Sequence, residues 1–245
     1  MDYLLPFLFL LIAFIYSSVG LGGGSSYTAL MAIFGISYQI IPTTSLTLNL
    51  IVTFIGMIHF WKNGHSRLNL IIPFLVTSIP MAYFAGSQEL PERIFNIFLL
   101  ITLIFVVIRI YLLNDLKISI QLTRIQKWIF IFSLGGVLGF IAGAVGIGGG
   151  IYLVPLIIMF GLGTEKEAAA SGAMFIWVNS LVGVIARSQI GTFDLQFILP
   201  LAIAVLIGGF GGSYLGAVKF EPKTIQKVMG SVIFIAIMFL IKGLL

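Results

Sequence analysis

Cysteine is absent from the 245 residues. Neither a disulfide framework nor a thiolate metal site is therefore open to this chain. Charge is nearly as scarce, at 9% of residues, against about 25% in an ordinary soluble domain. So few charged groups cannot clothe a globular surface, and the solvent around most of the chain must be lipid. Only eight residues are acidic, and all fall in predicted loops or at helix ends. No carboxylate pair inside the membrane is left for hydrolysis, and no HExxH pattern for a metal. No enzyme, metal centre or cofactor site is expected. The two histidines, His59 and His65, flank "FWKNG" at a predicted membrane boundary, where a headgroup-level location is expected. The net charge of +5 is scattered over loops. It suits contact with anionic lipid and excludes a nucleic-acid surface.

What the chain has in abundance is apolar sequence, 60% hydrophobic residues with a mean hydropathy of +1.17. Charges and turn residues cut it into blocks at 3–35, 43–61, 68–87, 91–113, 128–161, 168–187, 195–217 and 223–244. All but the first and fifth approach the ~20 residues that a membrane helix needs. Those two are too long for one ordinary span, and each is interrupted by glycine. The opening "MDYLLPFLFLLIAFIYSSVG" has the look of a signal peptide, but Asp2 stands where lysine or arginine is required. A related segment recurs at 128–146, so residues 3–19 are expected to belong to the mature fold.

The chain is a duplication. Val19-Gly20-Leu21-Gly22-Gly23-Gly24 matches Val145-Gly146-Ile147-Gly148-Gly149-Gly150, and Phe34-Gly35 matches Phe160-Gly161. Ser45 matches Ser171 at the same offset, and Pro73 matches Pro200 one residue out of step. This predicts one all-α membrane domain over 1–245. Repeat 1 covers about 3–113, a linker 114–127, and repeat 2 about 128–245. Each repeat should hold one glycine-broken helical hairpin and three transmembrane helices. Duplicated apolar halves with matching glycine interruptions point to a transporter site.

If each broken block enters and leaves on one side, the halves are inverted. Nine basic residues (Lys62, Arg67, Lys117, Arg124, Lys127, Lys166, Lys219, Lys223, Lys227) then share one face, against Arg93, Arg187 and Lys242. If each block crosses once, the split is seven to five. The positive-inside rule favours the first arrangement, with both termini outside the cytoplasm.

A non-helical break inside a bilayer leaves backbone groups unpaired unless it lines a polar cavity or is buried in protein. Glycine permits the turn and lets a ligand approach the backbone. The short helices expected after the breaks, 25–34 and 151–160, would point free N–H groups and a positive dipole end back at them. That is an anion site built of backbone. Glycines in membrane helices also serve close packing; two copies at matching breaks favour the ligand reading. A nucleotide loop is excluded, because Ser25 and Ile151 stand where the last glycine of GxGxxG belongs and no Lys-Ser/Thr follows.

The candidate anion ligands are Gly22, Gly23, Gly24, Ser25, Ser26, Thr44, Ser45 and Asn49 from the first half. The second half offers Gly148, Gly149, Gly150, Ser171 and Asn179. Ser25 and Ser26 are placed to cap the first short helix. Their counterparts are Ile151 and Tyr152, so the site is expected to be asymmetric. Arg187 ends an apolar helix on the face poor in positive charge, where it either snorkels to headgroups or attracts anions to the outer mouth.

The motifs "VGLGGGSSYTALMAIFG" and "VGIGGGIYLVPLIIMFG" resemble the paired signature repeats of the TauE/SafE family of sulfite and organosulfur-anion exporters. The resemblance extends over nearly the whole chain and takes in Thr44-Ser45 and Ala170-Ser171. It implies plasma-membrane export of a small sulfur oxyanion or sulfonate by alternating access. The partners expected are that anion and membrane lipid; oligomeric state stays open. An anion channel and a non-transporting membrane scaffold are the alternatives.

Overall fold

The computed structural model describes residues 4–18, 21–112, 123–190 and 193–216, together with 230, 233–234, 237–238 and 240–242. Most of the expected linker, most of the last block at 223–244, and Val19, Gly20 and Lys117 lie outside the described residues. All regular structure among the described residues is helical.

The elements are α1 (Leu4–Ser17), α2 (Gly24–Ile33), α3 (Ile41–Lys62), α4 (Leu68–Gly86), α5 (Glu92–Leu112), α6 (Arg124–Val145), α7 (Gly150–Met159), α8 (Glu165–Arg187) and α9 (Leu195–Gly216). A single 3-10 turn, Ser188–Ile190, follows α8. Among the described residues α3, α4, α6, α8 and α9 are long and apolar enough to cross a membrane. Their outer faces carry exposed Val76, Leu199, Ile203 and Phe210, as a lipid-facing surface requires.

Two helix starts fall earlier than expected. Thr123 and Gln126 form a reciprocal capping box that begins α6 at Arg124, so residues 124–127 are helix and not linker. Thr164 and Glu167 form another that begins α8 at Glu165. Both boxes are written in the sequence as T-x-x-Q and T-x-x-E.

The two halves repeat in local detail. The short helices α2 and α7 have 10 residues each and start after left-handed glycines, Gly23 (φ 93°) and Gly149 (φ 77°). Each ends in the same paired-bond motif. Gly35 N–H donates to Ala32 O and Ile36 N–H to Met31 O; Gly161 N–H donates to Ile158 O and Leu162 N–H to Ile157 O. Pro73 and Pro200 each lie inside the helix that follows the long central one.

The packing between halves is ordered. On α6, Gly135, Gly139 and Gly143 lie against the backbone of Phe74, Ser78 and Ala82 in the same sequence direction, so α4 and α6 run parallel. Gly208 and Gly212 of α9 lie likewise on Leu10 and Phe14, so α1 and α9 run parallel. A Cβ at any of these glycines would meet a backbone carbonyl oxygen. Small residues at four-residue spacing let membrane helices approach this closely, and van der Waals packing then holds them. The equivalent helices α3 and α8 run antiparallel: Leu46 meets Gly183, Phe54 faces Trp177 at 6.1 Å, and Gly56 approaches Ala173.

These contacts give the molecule two ends. At one, Tyr38, Gln39, Glu89, Pro91 and Arg187 surround a common cavity. At the other, Gly163 lies near Leu70, and Arg67 lies 3.7 Å from Glu167.

Candidate functional site

The glycine runs are the segments between α1 and α2 and between α6 and α7, and they meet at the middle of α3. A Cβ added to Gly24 would stand 2.5 Å from Asn49 Nδ2 and 2.7 Å from the carbonyl oxygen of Ile147. One at Gly22 would stand 2.5 Å from Asn49 Oδ1, and one at Gly148 3.0 Å from Asn49 Nδ2. Asn49 thus touches both breaks, and its amide donates to Ile147 O at 3.5 Å. Ser45, one turn earlier on α3, donates at 2.7 Å to Gly146 O and lies 3.3 Å from Gly24 O. Both residues are fully buried. Gly24 O at the first break and Gly146 O and Ile147 O at the second therefore find partners from one helix, which helps an irregular stretch survive at membrane depth.

The two breaks differ chemically. At the first, Tyr16 OH lies 2.6 Å from Ser26 Oγ and 3.1 Å from Ser25 Oγ. The expected capping role of these serines is not observed. The N-cap of α2 is Gly23, which has no side-chain bond, and the serine hydroxyls turn to Tyr16 instead. Tyr27 stacks on Phe9 with centroids 4.8 Å apart. Its oxygen would lie 2.9 Å from a Cβ at Gly23, so it stands over the N-cap of α2. That hydroxyl is buried and has no partner among the described residues. The second break presents buried Ile151, Leu153 and Val154. Tyr152, in the position of Ser26, sends its hydroxyl to Thr102 O on α5 at 3.2 Å.

Other candidates lie around this centre. Thr44 Oγ1, Ser171 Oγ, Asn179 Oδ1 and Asn49 Oδ1 are buried without partners among the described residues. The bonds that tie the breaks together pass Thr44 and Ser171 by, and the Asn179 amide donates to Phe175 O of its own helix. Gly149 lies against Phe175 and the carbonyl of Leu138, and Gly150 against Ile176 and the carbonyl of Gly172, so neither faces Asn49.

Arg187 does not snorkel. It is 4% exposed, and its guanidinium donates to Gly143 O and Ala144 O at 3.0 and 2.9 Å. A cation is stabilised there by the negative end of the α6 dipole. Its Nε is buried without a partner among the described residues. Arg187 also lines the cavity of about 260 Å³ whose wall includes Pro42 and Ala144. Immediately behind them, Gly146 packs on Pro42. The cavity thus leads from one end of the molecule to the edge of the second break.

Sequence reasoning missed Tyr16 and Tyr27, which precede and follow the glycine run by a few residues. It also missed the packing glycines of α6 and α9, although their four-residue spacing was visible.

The profile of the sulfite exporter TauE/SafE family matches residues 5–240. A probable membrane transporter protein of Sinorhizobium fredii is 30% identical over 93% of this chain and 93% of its own length. One of Bacillus subtilis is 24% identical over 89% of this chain and 91% of its own. A third, from the archaeon Methanocaldococcus jannaschii, is 24% identical over 97% and 96%. No solved structure matches. The chain belongs to the TauE/SafE family and is a multi-pass membrane transporter.

Proposed function

We propose that this protein exports a small anion, sulfite or an organosulfonate, across the plasma membrane by alternating access between two inverted repeats. The observation that carries the proposal is the meeting of both glycine breaks at Asn49 and Ser45. The short helices α2 and α7 begin beside that point; Ser26 and Tyr27 N–H turn to Gly23 O, and Tyr152 and Leu153 N–H to Gly149 O, which leaves the N–H groups of Gly24, Ser25, Gly150 and Ile151 without an acceptor among the described residues. Such N–H groups and the dipole ends behind them favour an anion. The candidate ligands are Gly22, Gly24, Gly148, Ser45 and Asn49, with the Tyr16–Ser25–Ser26 hydroxyls beside them. Gly23, Gly149, Gly150, Thr44, Ser171 and Asn179 form a surrounding layer. Arg187 draws the anion through the cavity at its end of the molecule.

The antiparallel sense of α3 and α8 supports inversion, because equivalent helices of parallel repeats would run the same way. In that arrangement both termini lie outside the cytoplasm. The cavity near Arg187, with Pro42 and Ala144 in its wall, then opens outward. The test is efflux of sulfite from loaded proteoliposomes. Slow, saturable flux that is inhibited by other sulfonates supports the carrier. Unitary conductance would replace it by an anion channel. Flux no faster than from protein-free vesicles, with no thermal stabilisation by any anion, would leave a scaffold.

A further inference from the structure

We infer that the cavity beside Arg187 is a binding site for a small zwitterion, a molecule with an acidic head and an ammonium group a few bonds away. This goes beyond the export reading and needs only the cavity walls. The cavity has a volume of about 260 Å³. Sites for drug-sized ligands begin at about 300 Å³, so a molecule of a few carbons suits this one. Its wall is drawn from both halves: Tyr38, Gln39, Glu89 and Phe95 come from the first, Ala144 and Arg187 from the second.

Arg187 and Glu89 put opposite charges on this wall. Arg187 is buried, and the two bonds it makes end on carbonyl oxygens, Gly143 O and Ala144 O. Carbonyls hold a guanidinium in place but do not neutralise it, and its Nε keeps no partner among the described residues. A buried charge in that condition is costly, and an acidic group within reach lowers the cost. Glu89 is exposed, in the segment between α4 and α5. Among the described residues it makes neither an ion pair nor a hydrogen bond. Two opposite charges thus line one cavity without closing on each other. Tyr38 and Phe95 stand in the same wall, with ring centroids 6.3 Å apart. Aromatic rings beside a carboxylate suit an ammonium group. A simple anion at Arg187 meets the field of the Glu89 carboxylate, and a simple cation at Glu89 meets the field of the guanidinium. A molecule that carries both charges meets two attractions, and complementarity of this kind decides which partner is accepted. The acidic head belongs at Arg187 and the ammonium group at Glu89.

The experiment is calorimetric binding to the purified whole protein in nanodiscs at neutral pH, which requires no transport. Two matched pairs of probes are compared: 2-aminoethanesulfonate with ethanesulfonate, and 3-aminopropanesulfonate with 1-propanesulfonate. Within each pair only the ammonium group differs. At least one amino compound should bind about fivefold tighter than its counterpart, a difference of ~1 kcal/mol that fits an ion pair with an exposed carboxylate. Glu89→Gln should remove that preference without weakening alkanesulfonate binding. Asp194→Asn is the control, because Asp194 shares a neighbouring cavity with Glu89 but does not line the one that holds Arg187; it should keep the preference. Equal affinities within both pairs overturn the inference. So does a preference that survives Glu89→Gln or disappears with Asp194→Asn, and so does failure of both amino compounds to bind. None of these outcomes bears on export, and a failed export assay leaves the cavity site standing.

Discussion

Replacing Tyr27 by phenylalanine removes one oxygen and preserves the ring. The ring is stacked on Phe9 at 4.8 Å, and phenylalanine keeps that contact. The hydroxyl is buried with no protein partner among the described residues, so no intramolecular hydrogen bond is lost. A buried unsatisfied polar group costs about 1–3 kcal/mol, and Tyr27→Phe should therefore leave the ligand-free protein as stable as before, or more so. If the Tyr27 hydroxyl, which stands over the N-cap of α2, donates to the proposed anion, the balance reverses in the complex. A hydrogen bond to a charged group contributes about 1.5–3 kcal/mol, so its loss should raise the apparent KM by roughly 10- to 150-fold. The assay pairs the thermal midpoint in detergent, with and without methanesulfonate, with efflux kinetics in proteoliposomes. Tyr16→Phe is the contrasting variant. Tyr16 OH serves Ser25 and Ser26, so its removal orphans two buried hydroxyls and should destabilise the protein even without anion. A Tyr27→Phe protein with raised stability and unaltered KM would refute the assignment of this hydroxyl to the ligand.

The packing glycines give a sharper structural test. Gly139→Ala places a methyl against Ser78 O, whereas Gly136→Ala on the same helix makes only ordinary contacts with Met81 Cγ at 3.7 Å and Thr77 Cβ at 3.9 Å. The first should cost about 1–3 kcal/mol in reversible unfolding and the second close to nothing; equal effects would mean that α4 and α6 do not pack on this face. Orientation is read by labelling. Ser188→Cys should react with a membrane-impermeant maleimide in intact cells and Ser66→Cys only after permeabilisation, on a chain with no native cysteine background; like behaviour of the two would place both loops on one side and end the inverted hairpin scheme. Finally, an inside-negative potential contributes ~2.3 kcal/mol per 100 mV for each negative charge moved outward. It should speed export of methanesulfonate, and indifference to valinomycin-clamped voltage would require electroneutral exchange or proton symport.

The fold was legible where the sequence repeats itself. Matching glycine runs located both breaks, and hydropathy located the long helices. The breaks were harder to describe than to find. Gly148 takes a left-handed conformation (φ 79°), whereas its counterpart Gly22 does not, so identical letters do not give identical backbones. The Ser25–Ser26 pair reads as a helix cap because serine is a common N-cap. With glycine already in the left-handed N-cap position and Tyr16 opposite, however, the hydroxyls bond more effectively to the tyrosine. Arg187, which ends an apolar helix, reads either as a snorkelling residue or as an anion attractor at the outer mouth. Only the fold brings the exposed carbonyls at the end of α6 within its reach, across 43 and 44 residues of sequence. Contacts of that separation carry no local signal. The spacing of Gly135, Gly139 and Gly143 did carry one, but a search for ligand-binding glycines passes over glycines inside a continuous helix.

The asymmetry of the two breaks is what a single central ligand, as proposed above, would require. Two repeats related by a two-fold axis would present two identical half-sites, and their shared axis would run through the region where Asn49 touches both breaks. A pyramidal or tetrahedral anion with one unlike substituent has no two-fold axis of its own. It can satisfy both half-sites only if they differ. Here they do: Tyr16, Ser25, Ser26 and Tyr27 stand at the first break, and Ala142, Ile151, Tyr152 and Leu153 at the matching positions of the second. The hydroxyl side suits the oxygens of the anion and the apolar side suits an alkyl substituent. In the proposed export cycle Arg187 would supply charge from the second half, at the end of the molecule where the cavity lies. The helix framework keeps its two-fold pattern because the parallel pairs α4–α6 and α1–α9 depend only on glycine spacing and are indifferent to what the centre binds. Divergence is thereby confined to the few positions that a ligand would touch.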